Sequence, residues 1–107
     1  MRRDAITIDL SAPIRLGSTE IRSIEVRPPA ERLLEPAKAH LRGVQFSDAG
    51  ALKYLARVSG HSELTLKRMA PADFANAKSA LERQFALALQ ESRVRRAIPD
   101  GRRQAAS

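Results

Sequence analysis

The chain has 107 residues and a mass of 11.8 kDa, which is one domain's worth of sequence. With 43% apolar residues, 4% aromatic residues and no Trp, it has material for one small core. Nineteen Lys and Arg against twelve Asp and Glu leave a net charge of +7, and the absence of Cys excludes disulfides, thiolate catalysis and Cys-ligated metal sites. No apolar run approaches the ~18–20 residues that cross a bilayer. Met1-Arg2-Arg3-Asp4 leads into an alternating segment rather than the apolar stretch of a signal peptide. The expectation is a soluble, cytoplasmic protein with no membrane partner.

Residues 5–27 carry the signature of β structure. Ile6, Ile8 and Leu10 alternate with Thr7 and Asp9, the period-2 pattern of a strand with one buried face. Ser11-Ala12-Pro13 interrupts it, Ile14 and Leu16 restore the parity, and Gly17-Ser18 predicts a tight turn. Ile24 and Val26 alternate in a second strand, but Ile21 is out of phase, which predicts either a bulge or partial cover on both faces. Pro28-Pro29 closes the strand, because proline cannot donate to a ladder. A sheet of two or three such strands needs helices to lie against.

Residues 30–46 admit two readings. Glu31-Arg32-Leu33-Leu34-Glu35 favours helix, and Pro36 either kinks one long helix or stands in the first turn of a helix running through Leu41; Gly43 ends both versions. From residue 47 the pattern is helical. Ser47 or Asp48 caps a helix with Leu52, Leu55 and Val58 on one face, and Gly60 stops it. Ser62 caps a short helix with Leu64, Leu66 and Met69. Pro71 opens a longer one, with Asp73 favourable near its positive end.

That last helix has two apolar stripes. Taking about 100° per residue from Phe85, Phe74 lies at about −20°, Leu81 at about −40° and Leu89 at about +40°, a core-facing stripe. Leu87, Val94 and Ile98 lie at about 200°, 180° and 220°, on the opposite side. Either the helix carries this second stripe outward, or it frays after Gln90. Pro99-Asp100-Gly101 breaks the pattern, and Arg102 to Ser107 is expected to be disordered. Fifteen of the basic residues are Arg, and five of them (93, 95, 96, 102 and 103) fall within 91–107. Arg suits carboxylate or phosphate partners, although a solvated tail accounts for the same charge. The fold class expected is α+β: an N-terminal antiparallel β-hairpin or small sheet on three to four helices. Residues 1–90 form the domain, with 5–27 as hairpin and 30–90 as helices, and 91–107 form a basic extension, partly helical and then disordered.

Catalytic chemistry has little to work with. His40 and His61 are the only histidines, and a set drawn from His61, Asp48 and Ser62 lacks any nucleophile-elbow or oxyanion signature. No metal-ligand spacing and no Gly-rich phosphate loop occur, so no enzyme, metal or cofactor is expected. Ala56, Gly60 and Leu66 have the small–glycine–aliphatic spacing of a helix-turn-helix, with Leu55 and Met69 in further buried positions. Against this, His61 stands where an aliphatic residue usually packs, and the second helix offers Glu63, Lys67 and Arg68 with no Asn or Gln to read adenine. An ordinary two-helix corner uses the same residues, so a DNA-binding protein with an arginine-rich tail is the alternative reading rather than the leading one.

The order of segments resembles the small tail assembly chaperones of contractile-tailed phages and of Mu-like or P2-like prophages. The resemblance rests on Ile6-Thr7-Ile8-Asp9-Leu10, Pro13-Ile14-Arg15-Leu16-Gly17 and Ile24-Glu25-Val26-Arg27-Pro28-Pro29. It continues in Leu55-Ala56-Arg57-Val58-Ser59-Gly60, Leu66-Lys67-Arg68-Met69 and Pro71-Ala72-Asp73-Phe74, and covers roughly residues 5–89. It implies a non-enzymatic assembly factor that coats helical segments of the tape measure protein before the tail tube polymerises and is absent from the mature virion. It also implies self-association or pairing with a longer frameshifted form. The residues assigned to partner binding are Leu87, Val94 and Ile98, flanked by Arg93, Arg95 and Arg96.

Overall fold

The computed structural model describes residues 4–43 and 45–97, except the side chains of Arg42 and of residues 93–97. Strands β1 (Ile6–Leu16) and β2 (Thr19–Val26) form an antiparallel hairpin around the Gly17-Ser18 turn. A 3₁₀ turn (Glu31–Leu33) runs into α1 (Leu34–Lys38), and β3 (Leu41–Arg42) and β4 (Gln45–Phe46) make a second, minimal hairpin. Helices α2 (Asp48–Ser59), α3 (Glu63–Leu66) and α4 (Pro71–Ala97) complete the order. The class is α+β, a small antiparallel sheet laid on helices.

The irregularity that Ile21 signals is real, and its extra residues lie on the opposite strand. Ile6 pairs with Val26 and Asp9 with Ser23, but the ladder resumes only at Ile14 with Ile21. Leu10 to Pro13 therefore bulge out against the single residue Arg22. Beyond the bulge Ile14 is buried, whereas Leu16, expected inward by parity, is 36% exposed beside the turn.

A bulge strands backbone N–H groups that a ladder would have paired, and buried ones must find acceptors. Asp73 of α4 supplies them. The Ser11 N–H donates to its Oδ1 and Oδ2 at 3.0 Å each, the Ser11 hydroxyl to Oδ2 at 3.1 Å, and the Ala12 N–H to Oδ2 at 3.3 Å. The position near the start of α4 suggests service to that helix's own positive end, but the carboxylate is turned to the sheet. Two further α4 side chains act similarly. Gln84, buried at 1% exposure, donates from Nε2 to the carbonyls of Val26 at 2.9 Å and Asp4 at 3.1 Å, and Glu82 Oε2 accepts from the Phe46 N–H at 2.8 Å.

Between 30 and 46 the chain departs from both sequence readings. Pro36 sits in the first turn of α1, where its missing N–H leaves no bond unmade, but the helix ends at Lys38 and Leu41 belongs to a strand. Gly43, at φ +67°, turns that strand back so that Phe46 enters the core. There it meets Phe85 at a ring-centroid distance of 5.2 Å and Tyr54 at 5.5 Å, and Tyr54 meets Phe85 at 5.6 Å. Edge-to-face aromatic contact adds to the area each ring buries.

The caps of α2 and α3 fall at the expected residues. Ser47 Oγ accepts from the Gly50 N–H and Ser62 Oγ from the Thr65 N–H, each at 3.1 Å. Gly60 closes α2 in the left-handed conformation, φ +82°, with its N–H on the Ala56 carbonyl. Leu66 and Met69 are buried as expected, but Leu64 is 75% exposed, because α3 is too short to bury more than one side.

The Ser11 N–H is the largest influence on the Asp73 carboxyl; burial opposes it, and the Ala12 N–H and the Ser11 hydroxyl reinforce it. Its pKa therefore lies below the ordinary carboxylate value. A folded pKa below the unfolded one, about 3.9, gives stability that is complete above the unfolded value and is lost as pH falls through the folded one. Unfolding followed from pH 7 to pH 2 is expected to show wild type more stable than Asp73→Asn by a constant margin at neutral pH, with the margin shrinking below about pH 4.

Candidate partner-binding surface

α4 buries one side and exposes the other. Phe85 and Leu81 are fully buried, and Ala77, Ala88 and Gln84 share their side of the helix. Phe74 and Leu89, from the same predicted stripe, are only partly buried against the core. Leu87, on the opposite side, is 40% exposed. The inward stripe is buried or partly buried at its four positions, and of the outward stripe Leu87 is the one residue whose side chain is described.

The helical backbone runs on through Ala97 rather than ending at Gln90. Arg93, Val94, Arg95 and Arg96 therefore lie on α4, and Val94, seven residues after Leu87, shares its face. Their side chains lie outside the described residues, as does Ile98 altogether, together with Pro99-Asp100-Gly101 and the Arg102 to Ser107 segment. Arg83, one turn before Leu87, extends the outward face with an exposed cation.

Elsewhere the sequence candidates are occupied or apart. Ser62 Oγ donates to Thr65 Oγ1 at 3.0 Å, Asp48 pairs with Lys78 Nζ at 2.9 Å, and the backbone N–H of His61 donates to Ser59 Oγ at 3.2 Å. No hydrogen bond among the described residues joins His61 to Asp48 or Ser62. His40 stands edge-on to Tyr54 at 5.6 Å. Among the described residues no three His, Asp or Glu side chains gather in a way that could hold a metal ion, and no helix is long and apolar enough to cross a membrane. Ala56, Gly60 and Leu66 pack as a two-helix corner, in which α3 has four residues and so spans only about 6 Å. The roles of Asp73, Glu82 and Gln84 escape a reading by residue type, because each resembles an ordinary polar helix residue. Angle gives a partial signal: Glu82 lies at about +60° and Gln84 at about −100° from Phe85, on either flank of the buried stripe.

The chain matches no family model, no curated protein and no solved structure.

The two faces make opposite predictions for substitution. Phe85→Ala is expected to cost about 3–5 kcal/mol, since it empties the centre of the aromatic cluster. Leu87→Ser should cost no more than about 1 kcal/mol in the same urea titration, because the side chain already meets solvent.

Proposed function

We propose that this chain is a non-catalytic assembly chaperone, of the kind that serves phage or prophage tails, and that it binds helical segments of a tape measure protein through the outer face of α4. The observation that carries the proposal is Leu87: a large apolar side chain, 40% exposed, on a helix whose other side already satisfies the core. The sequence resemblance over residues 5–89 points the same way. An apolar stripe flanked by cations suits an amphipathic helix, whose apolar side lies on the stripe while its acidic residues meet Arg side chains.

Burial of Leu87, Val94 and Ile98 together contributes on the order of 5 kcal/mol before ordering costs are subtracted. The Arg residues at 93, 95 and 96 speed encounter with acidic helix faces more than they tighten the complex. On this reading the protein acts in the host cytoplasm, is used stoichiometrically, associates with its own copies or a longer frameshifted form, and leaves before the virion matures. It needs no cofactor.

Co-expression tests the proposal. Wild type is expected to hold the tape measure protein encoded alongside it in the soluble fraction, and a triple change of Leu87, Val94 and Ile98 to serine is expected to fold normally and lose that effect. A folded triple variant that still solubilises the tape measure protein would move the binding surface elsewhere. A sequence-dependent gel shift at physiological salt would replace the proposal with the DNA-binding reading.

A further inference from the structure

A cleft of about 390 Å³ runs between β1 and α4, on the side of β1 away from β2. Four consecutive strand residues line it, Ile6 to Asp9. A cleft on one face of a strand would touch alternate residues, so this one follows the strand's edge. The facing wall is Asn76, Ser79, Ala80 and Arg83, spaced i, i+3, i+4, i+7, which is one stripe of α4. Each wall is about 10 Å long, the length of an extended stretch of three or four residues.

In an antiparallel pair, every second residue of an outer strand turns its N–H and C=O away from its neighbour. Among the described residues the hydrogen bonds reaching the Ile6–Asp9 backbone are those of the β1–β2 ladder. The bulge and Pro13 blunt the far part of this edge, but Ile6–Ile8 has neither proline nor lysine to guard it. The walls are polar and exposed at Thr7, Asp9, Asn76, Ser79 and Arg83, over a buried floor at Ala80.

The cleft is also electrically polar along its length. Asp73 holds Ser11 while Gln84 holds Asp4, so α4 runs antiparallel to β1. That direction puts Asn76 beside the Asp9 end and Arg83 beside the Ile6 end. Neither Asp9 nor Arg83 has an ion-pair partner among the described residues.

We propose that this cleft takes an extended peptide segment of a partner protein as a third strand, antiparallel to β1, with an acidic side chain or terminal carboxylate at its C-terminal end on Arg83. Backbone pairing with Ile6–Asp9 supplies the attachment, and Arg83 sets the direction and the preference for a carboxylate. This site is separate from the Leu87 stripe and asks for an extended partner rather than a helical one.

Selection from a random heptapeptide library with free C-termini, followed by fluorescence anisotropy of the selected peptides on the full-length protein, tests the proposal. The peptides are expected to carry Asp or Glu near their C-terminal end or to lose at least tenfold in affinity when that end is amidated, and to lose at least tenfold against Arg83→Glu. Arg83→Gln serves if the reversed charge disturbs the helix. N-methylation of the best peptide, residue by residue, should weaken binding tenfold or more at alternate positions and less than twofold between them. No enriched sequence, affinity indifferent to both Arg83 variants, or a methylation profile without the period of two would each overturn the proposal.

Discussion

Ser11 and Ala12 leave the β-ladder in a bulge, and the carboxylate of Asp73 collects their N–H groups together with the Ser11 hydroxyl. Much else follows from that attachment. A two-stranded sheet has too little internal contact to persist alone, so it must be tied to a helix. Asp73 ties its bulge, Gln84 ties its open end through Val26 and Asp4, and between these points β1 lies along α4. Glu82 does the same for the second hairpin at Phe46. Charged and amide side chains thus fix the register of sheet against helix, which the apolar contacts of Ile14, Ile24 and Val26 alone would leave free to slide.

Once α4 is fixed in this way its remaining surface is determined. The side carrying Leu81, Phe85 and Ala88 is filled by the core. The side carrying Asn76, Ser79 and Arg83 faces the cleft along β1, and the same side continues to Leu87. The outward face therefore changes character along its described length, from polar residues beside the cleft to the exposed apolar side chain of Leu87. The two proposed sites draw on these two stretches separately, one for an extended partner and one for a helical one.

Much of the fold is written plainly in the sequence. Alternation at Ile6, Ile8, Ile24 and Val26 marks the hairpin, Gly17-Ser18 its turn, and Ser47, Gly60, Ser62 and Pro71 the ends of three helices. What is harder to read has a common cause. Two-residue strands such as Leu41–Arg42 and Gln45–Phe46 are shorter than any periodicity, and only the burial of Phe46 by distant helices makes them form. The contradictory parity of Ile21 is compatible with a bulge or with cover on both faces, and does not say which strand would carry extra residues. Asp73 pairs with residues about sixty positions away, and no local pattern announces so long a reach. The outward direction of Leu87 is legible because helical geometry, once granted, leaves it no freedom.

Native-state hydrogen exchange at the Ser11, Ala12 and Phe46 amides tests the central claim most directly, since their N–H groups are held by side chains of α4. If α4 is the spine that fixes both hairpins, these three amides exchange as slowly as those of Leu81 and Phe85 in the helix itself, through the same cooperative opening. Exchange at the rate of unprotected surface amides, while the helix stays protected, would show that the hairpins move independently of α4 and would contradict the account.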